Sequence, residues 1–295
     1  MLNGWLIVNR FLNTAKFREI YVWLAESAKK QQIRLTFMTN ADFLVRADTG
    51  ELITKAFSEQ QPDFVLFWDK DIRLARALEK KGLRLFNRAD AIEACDDKSL
   101  CAVKLAGIVK MPRTYVVPMT YSNIGYTDFA FLTDIEKELS YPYIIKECFG
   151  SFGMQVYLAH TRTEAAELLS KNNKGTPYIF QEYISTSTGR DVRLHVVGNK
   201  VVTAMLRYNE NDFRANITNG GSMKPYRPTS EQIRLSLQVC SELQLDFAGV
   251  DILFGPDEEP LLCEVNSNAH FKNIYDCTGI NIADAIMKHI RTVCQ

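Results

Sequence analysis

The segment from residue 247 to residue 268 constrains the fold of this chain more than any other stretch. Two apolar runs, at residues 250–254 and 261–265, flank a turn-rich segment at residues 255–260. Strand-forming runs on either side of a Gly- and Pro-containing turn predict a β-hairpin. The remaining motifs of the chain are interpreted below together with the polar end of this hairpin.

Three oxygen-bearing side chains are predicted to meet at that end. Symmetry about the turn pairs Gly255 with Pro260 and therefore places Asp251 opposite Glu264. Because side chains alternate along a strand, Glu264 and Asn266 share a face. Carboxylate and amide oxygens are the ligands that Mg²⁺ prefers. Taken alone, the pattern is equally typical of charged residues on the solvated face of an edge hairpin.

Composition excludes several classes of protein. The 295 residues carry 35 basic and 35 acidic side chains, so neither a nucleic-acid-binding face nor a polybasic membrane anchor is expected. No apolar run approaches the roughly 20 residues that span a bilayer, and the amino terminus lacks the features of a signal peptide. The seven scattered cysteines form no Cys-x-x-Cys pair. They fit reduced thiols, and hence a cytoplasmic location, better than a disulfide framework or a zinc site.

Strands alternate with helices over about the first ninety residues. This alternation predicts a small domain with a parallel sheet covered by helices. A Gly-x-Gly pattern is absent, so a dinucleotide-binding fold is not predicted. The predicted strands are residues 4–9, 33–38, 63–68 and 83–87, and the predicted helices are residues 15–30 and 71–81.

The middle of the chain contains a small glycine loop. Residues 141–157 read as strand, loop, strand, and the loop includes Gly150, Ser151 and Gly153. Backbone N–H groups of such a loop can bind phosphate, and Lys146 lies just before it. In isolation the segment is more typical of a plain hairpin turn with a surface lysine. Upstream, two short helices are predicted to meet at Asp97-Lys98.

Cationic side chains accompany the acidic hairpin. Lys98 and Lys146 each lie beside a turn, Arg207 ends a predicted hairpin, and Arg214 lies in a polar loop. Lysine and arginine neutralise phosphate oxygens, and Mg²⁺ bridges phosphates that acidic side chains hold. Neither a P-loop motif nor a Gly-x-Ser-x-Gly motif is present. The combination points to phosphoryl transfer without a covalent protein intermediate.

The order of these motifs resembles that of ATP-grasp enzymes, and within them the RimK-type carboxylate–amine ligases. The resemblance covers roughly residues 87–290 and rests on eight motifs in the family's order. They are Asp97-Lys98, Ile145-Lys146 with its glycine loop, Gln181-Glu-Tyr-Ile184, Gly189-Arg-Asp-Val-Arg193, Asp212-Phe-Arg-Ala-Asn216, Ala248-Gly-Val-Asp-Ile252, Glu264-Val-Asn266 and Thr278-Gly-Ile-Asn281.

The resemblance implies a fold of the α/β (α+β) class. An N-terminal α/β domain at residues 1–90 would precede a two-lobed ATP-grasp fold, with a central lobe at residues 91–176 and a C-terminal lobe with the metal site at residues 177–295. ATP and two Mg²⁺ ions, with Mn²⁺ as an alternative, would be the cofactors. The implied partners are a small amino-acid or peptide substrate or a protein C-terminus, and the chain would form a homo-oligomer.

The resemblance also implies roles for individual residues. Lys98, Lys146 and the loop residues Gly150, Ser151 and Gly153 would contact the phosphates of ATP. Adenine would meet Glu182 and Tyr183, ribose would meet Asp191, and Arg214 and Asn216 would reach the phosphate end. Arg207 would stabilise an acyl phosphate, and the metal ligands would be Asp251, Glu264 and Asn266.

Two departures from the family pattern concern the substrate. Gln155 stands where the family often has a third glycine, and residues 267–271 replace its usual Ala-Ser-Pro-Gly. The latter segment would face the acceptor substrate, where we expect His270 to pack or to face solvent rather than to contact the substrate. The leading function is therefore an ATP-dependent ligase forming an amide bond, with glutamate as one candidate amino acid. A non-catalytic ATP-binding regulator or scaffold is the alternative.

Overall fold

A computed structural model describes residues 1–12, 14–54, 61–151, 153–171 and 175–295. Within these ranges, three sheets and one two-stranded hairpin are connected by helices. The strands are β1 (Leu2–Val8), β2 (Ile33–Thr39), β3 (Leu44–Arg46), β4 (Glu51–Ile53), β5 (Phe64–Trp68), β6 (Leu85–Phe86), β7 (Thr114–Val116), β8 (Tyr143–Glu147), β9 (Val156–Ala159), β10 (Tyr178–Glu182), β11 (Arg190–Val197), β12 (Lys200–Tyr208), β13 (Ser222–Pro225), β14 (Phe247–Phe254) and β15 (Pro260–Asn266).

The helices of the described ranges cover the faces of these sheets. None of them is both long and apolar enough to cross a membrane. They are α1 (Ala15–Lys30), α2 (Ile72–Lys80), α3 (Ala89–Asp96), α4 (Lys98–Leu105), α5 (Phe131–Glu138), α6 (Arg162–Lys171), α7 (Ser230–Glu242), α8 (Lys272–Thr278) and α9 (Ile282–Cys294).

The first sheet is parallel, with strand order β2-β1-β5-β6, as the alternation of strands and helices predicted. Its middle strand β5 is buried along its whole length because both faces are covered. The chain leaves β1 towards β2 on one side and later passes from β5 to β6 on the other. The direction of winding therefore reverses between β1 and β5, and Asn9 and Asp69 follow the carboxyl ends of these two strands.

The middle sheet is antiparallel, with strand order β7-β10-β8-β9. It has its own apolar core, which includes Tyr143, Phe180 and Leu132. Strand β10 pairs with β7 and β8, so by strand pairing this sheet reaches Glu182. The division of the chain into residues 1–90, 91–176 and 177–295 stays a prediction.

The third sheet, of order β13-β12-β11-β14-β15, contains the predicted hairpin. Asp251 lies opposite Glu264, which confirms that pairing. The predicted turn register is wrong, because Pro260 pairs with Phe254 and not with Gly255. A one-residue shift in the ladder beside Asp251 restores the expected pairing further along the hairpin.

The first and third sheets share a core. Residues of β1, β5 and α1 pack in one cluster with Phe247, Phe271 and several residues of α9. Buried Asn87, just after β6, adds hydrogen bonds between the same parts. Its Nδ2 donates to the carbonyls of Phe247 and Ser267, both at 2.9 Å, and its Oδ1 accepts from the backbone N–H groups of Asp246 and Phe247. Packing and hydrogen bonds thus hold the N-terminal segment against the hairpin of the third sheet.

Candidate active site

The glycine loop between β8 and β9 requires its glycines. Gly150 has φ = +145° and Gly153 has φ = +72°, which are backbone conformations that residues with a Cβ rarely adopt. A Cβ at Gly150 would also collide with the amide of Gln155, and one at Gly153 with the amide of Asn216. Gln155, the residue that departs from the family pattern, therefore fills the space beneath the loop.

Both predicted phosphate-binding lysines adjoin this loop. The ammonium of Lys98, at the start of α4, donates to the carbonyls of Cys148 (3.4 Å) and Gly150 (3.3 Å). Lys146 is 6% exposed, and its ammonium lies 3.9 Å from the thiol of Cys263. No carboxylate in the described ranges forms an ion pair with Lys146. A buried ammonium without an anion is costly, so this position suits an anionic ligand.

Two arginines and two aspartates form a buried network across β11, β12 and β14. Arg207 donates to both carboxylate oxygens of Asp191 at 2.7 and 2.6 Å, and to Asp251 at 2.8 Å. Arg193 donates to both oxygens of Asp251 at 2.6 Å. Burial alone would raise the pKa of Asp251, but the two guanidinium groups outweigh it and lower this pKa to about 2. Burial raises the pKa of Asp191 despite its pairing with Arg207.

The network buries one of the three predicted metal ligands. Asp251 is 2% exposed and is bound by two guanidinium groups. The cause is the antiparallel pairing of β11 with β12 and β14, which places arginines directly beside the aspartate. Asp251 therefore supports the fold as well as the site.

The other two predicted metal ligands are uncommitted. Glu264 accepts no hydrogen bond and forms no ion pair in the described part of the chain, and the Nδ2 of Asn266 is buried without a partner. The Oδ2 of Asp251 accepts from both Arg193 and Arg207, whereas its Oδ1 accepts from Arg193 alone, so one lone pair of Oδ1 remains for a cation. The described ranges hold no cluster of three or more His, Cys, Asp or Glu suited to a metal. The donor set here is two carboxylates and one amide, and such oxygens fit Mg²⁺.

The remaining predicted residues lie around the same cleft. Arg214 donates to the carbonyl of Gly153 at 2.8 Å and pairs with Asp212. Glu182, at the end of β10, accepts from Arg113, which lowers its pKa. Arg214 thus links the polar loop of the third sheet to the glycine loop of the middle sheet.

A first cavity, with about 860 Å³ of empty space, brings together nearly all of the predicted site residues. Asn266 lines instead a second cavity of about 1810 Å³, which extends to the first sheet. Ser151, Arg207, Asn216 and Glu264 line both cavities, so these residues mark their junction. The residues predicted from the sequence that line the first cavity are Lys98, Lys146, Gly150, Ser151, Gly153, Glu182, Tyr183, Asp191, Arg207, Arg214, Asn216, Asp251 and Glu264.

The RimK-like ATP-grasp domain model matches residues 96–290, most of the chain. The chain belongs to the RimK-like ATP-grasp family. Of its curated relatives, the uncharacterized protein MG012 homolog of Mycoplasma pneumoniae is 34% identical over 271 residues, covering 90% of this chain and 91% of the relative. Beta-citrylglutamate synthase B of Danio rerio is 35% identical over 219 residues, covering 74% of this chain and 53% of the synthase.

The fold comparison agrees with this family. The ATP-grasp ligase PsnB, solved with a phosphomimetic variant of a minimal precursor, Mg and ADP, superposes with a TM-score of 0.72 over 100% of both chains at 14% identity. The prediction of an N-terminal α/β domain followed by an ATP-grasp fold is confirmed. The chain spans about half the length of the synthase relative.

Two charged residues of the second cavity were not singled out in the sequence. Arg193 belongs to one of the motifs, but its bidentate contact with Asp251 was not predicted. Asp69 directly follows the strand predicted at residues 63–68, which is a signal in the sequence, but the reversal of winding beside it depends on the strand order of the folded sheet. His270 packs edge-on against Phe17, as expected, and it also lines the second cavity.

Proposed function

We propose that this protein is an ATP- and Mg²⁺-dependent ligase that joins a carboxylate to an amine through an acyl phosphate. One observation carries the proposal: a buried ammonium without a carboxylate, Lys146, lines the same cavity as Glu264, a carboxylate without a donor. The first suits a phosphate and the second a cation. ATP with Mg²⁺ supplies both groups together.

The two cavities divide the binding between nucleotide and substrates. Lys98, Lys146 and the glycine loop would hold the phosphates of ATP in the first cavity, and the β10 segment with Glu182 and Tyr183 would meet adenine. The transferred phosphoryl group would lie at the junction, beside Arg207. The second cavity would receive the carboxylate and amine substrates. Asp251, Glu264 and Asn266 would hold Mg²⁺, which supplies charge neutralisation between phosphate oxygens.

The reaction then needs two displacements. A carboxylate oxygen attacks the γ-phosphorus, the bond to the bridging oxygen breaks, and ADP leaves with its electron pair. The amine lone pair next attacks the acyl carbon, the carbon–oxygen bond breaks, and phosphate leaves while the amine nitrogen releases a proton. Arg207, fixed by Asp191 and Asp251, presents a preorganised positive charge to the phosphoryl oxygens in both steps.

The similarity to a synthase named for citrylglutamate favours an amino acid, with glutamate first, as one substrate. The similarity to PsnB, solved with a precursor, keeps a peptide or protein terminus as the second possibility. The homo-oligomer remains a prediction that sedimentation analysis of the purified protein would test.

The deciding experiment is ATP-dependent phosphate release with Mg²⁺, against pooled amino acids, short peptides and a metabolite extract. Glu264→Gln serves as the blank, because Glu264 has no structural partner to lose. Release that depends on one pool and vanishes in the variant supports the ligase. ATP binding without release in any pool contradicts it and favours the alternative of a non-catalytic ATP-binding regulator.

A further inference from the structure

Asp69 is a buried carboxylate that has no role in the reaction proposed above. It is 7% exposed and follows the carboxyl end of β5, in the wall of the second cavity. The Nδ2 of Asn9 donates to its two oxygens at 3.2 and 3.3 Å, and the backbone N–H of Lys70 donates at 2.6 Å. These donors are neutral. No cationic side chain of the described ranges forms an ion pair with Asp69, and burial raises its pKa.

The arginines and Lys70 in this wall are already committed to other carboxylates. Lys70 pairs with Asp96, and Arg193 and Arg207 pair with Asp251. Lys16 also lines the cavity, where its charge helps to lower the pKa of His270. A buried carboxylate that lacks a counter-charge is costly in the free protein, and a cationic ligand removes that cost.

Two further acceptors stand in the same wall. Asn268 donates its Nδ2 to the carbonyl of Asp69 at 3.0 Å, which fixes the amide orientation and leaves its buried Oδ1 without a partner. His270 lies 3.2 Å from the carbonyl of Lys16 through its Nε2, which must therefore carry the proton. Its Nδ1 is then an acceptor, and it too is buried without a partner.

Two aromatic side chains also line this cavity. Tyr21 and Trp68 line the cavity beside Asp69. Burial, and then the negative charge of Asp69, raise the pKa of Tyr21 to about 12, so the phenol stays neutral. The face of an aromatic ring attracts a cation. These rings would therefore add to the attraction between the Asp69 carboxylate and an ammonium group.

The position in the first sheet gives an independent argument. Asn9 and Asp69 follow the adjacent parallel strands β1 and β5, between which the winding reverses. In open parallel sheets, ligands bind outside the carboxyl ends of the strands at this switch point.

We propose that Asp69, with Asn268 and His270 as further acceptors, binds the primary ammonium group of an amino-acid substrate in the second cavity. An ammonium offers three N–H donors and one positive charge, and this wall offers one carboxylate and two unused acceptors. The inference rests on the proposed ligase function and assigns residues to the recognition of its amino-acid substrate. If this ammonium belongs to the attacking amine, it gives up one proton before its nitrogen lone pair attacks the acyl carbon.

The test compares free amino acids with their N-acetyl derivatives. Each proteinogenic amino acid and its N-acetyl derivative is titrated by calorimetry into the protein with Mg²⁺ and AMPPNP. We expect at least one free amino acid to bind and its N-acetyl derivative not to bind. This comparison needs no variant, so it remains decisive even if a substitution disturbs the fold.

The same amino acid is then titrated into two variants. Asp69→Asn keeps the size and one acceptor, and we expect its Kd to rise at least tenfold while the Kd of AMPPNP stays unchanged. Asp63→Asn is the matched control, since Asp63 is an exposed carboxylate just before the opposite end of β5. Its affinities should equal those of the wild type.

Three results would overturn the inference: N-acetyl derivatives that bind within twofold of the free amino acids, an Asp69→Asn variant with wild-type affinity, or no binding by any free amino acid. Failure of the ligase function is distinguished by phosphate release measured in parallel. If the wild type releases phosphate and Asp69→Asn does so with the same kcat and KM, the ammonium site is rejected and the ligase function is retained. Absence of release in every pool removes the ligase.

Discussion

Lys146 shows how a single side chain can indicate the charge of a ligand. Its ammonium is buried next to a thiol, in a position where the positive charge is not balanced by a carboxylate of the described ranges. We expect Lys146→Met to weaken ATP binding at least tenfold, about 1.4 kcal/mol, because one phosphate contact is lost. Methionine has a similar volume, so folding should be preserved. Calorimetric titration with ATP measures this, and exposed Lys104→Met is the control.

The two carboxylates of the hairpin should respond differently to neutralisation. Asp251→Asn leaves one buried guanidinium group, that of Arg207, and one half-buried guanidinium group, that of Arg193, undercompensated, so we expect a loss of about 3 kcal/mol in the free energy of unfolding. Glu264→Gln removes a carboxylate without protein partners and should change that free energy by less than about 0.5 kcal/mol. Both should abolish ATP-dependent phosphate release. Urea denaturation decides, and equal stability of the two variants would contradict the asymmetry.

The pairing predicted at the hairpin is correct partly because two one-residue differences cancel each other. The opposition of Asp251 and Glu264 was correct, although the turn pairs Pro260 with Phe254 rather than with Gly255. The ladder irregularity beside Asp251 cancels the error, and a pattern of alternating residues cannot reveal such a bulge. Partners from distant strands, such as Arg193 for Asp251, depend on strand order, which the local pattern does not contain.

At the scale of elements, one charge network connects β11, β12 and β14, and it should make their stability depend on pH. The pKa of Asp251 is lowered from 3.8 to about 2 in the folded protein. A group with a lowered pKa stabilises the fold above its unfolded value, and this contribution is lost as the pH falls towards the folded value. We expect the advantage of the wild type over Asp251→Asn to be full above about pH 5 and to shrink by about 2 kcal/mol by pH 2.

Denaturant titrations of both proteins at a series of pH values measure this difference. Its independence of pH between 5 and 2 would show that Asp251 is not held ionised by the arginines. Using the difference between the two proteins removes the contributions of carboxylates that they share.

Elements with strong patterns were predicted well. The helix α1 was expected at residues 15–30 and spans Ala15–Lys30. The short elements β3, β4, β13 and α8 were not predicted. The three strands have three or four residues each and α8 has seven, which are too few to establish a period, so tertiary contacts determine their conformation.

At the scale of the whole molecule, nucleotide binding should stabilise the fold through the metal. At about 100 times its Kd, Mg²⁺–ATP should raise the free energy of unfolding by about 2.7 kcal/mol, roughly 5 °C in Tm for a chain of this size. EDTA should remove most of the rise, and Glu264→Gln should lose the Mg²⁺-dependent part. Scanning calorimetry measures both, and a full rise with EDTA present would show that the hairpin holds no metal.

The family and the ATP-grasp architecture were accessible from the order of the motifs, because each motif keeps its residues close in sequence. The shared core of the first and third sheets was not. Contacts between β1, Phe247 and α9 join residues that are far apart in the chain, and composition does not indicate which apolar faces meet. The same limitation concealed the second cavity, whose walls come from both ends of the sequence.

The hydrogen bonds of Asn87 bear on the order in which ligands bind. They fasten the first sheet to the hairpin, while the middle sheet has a separate core. Apart from Ser151, the walls of the second cavity belong to the first sheet, the third sheet and the segments next to them. We therefore expect this cavity to keep its shape without a nucleotide. The first cavity depends on the middle sheet as well. We therefore expect random rather than ATP-first addition in steady-state kinetics, with the amino-acid substrate able to bind the nucleotide-free protein.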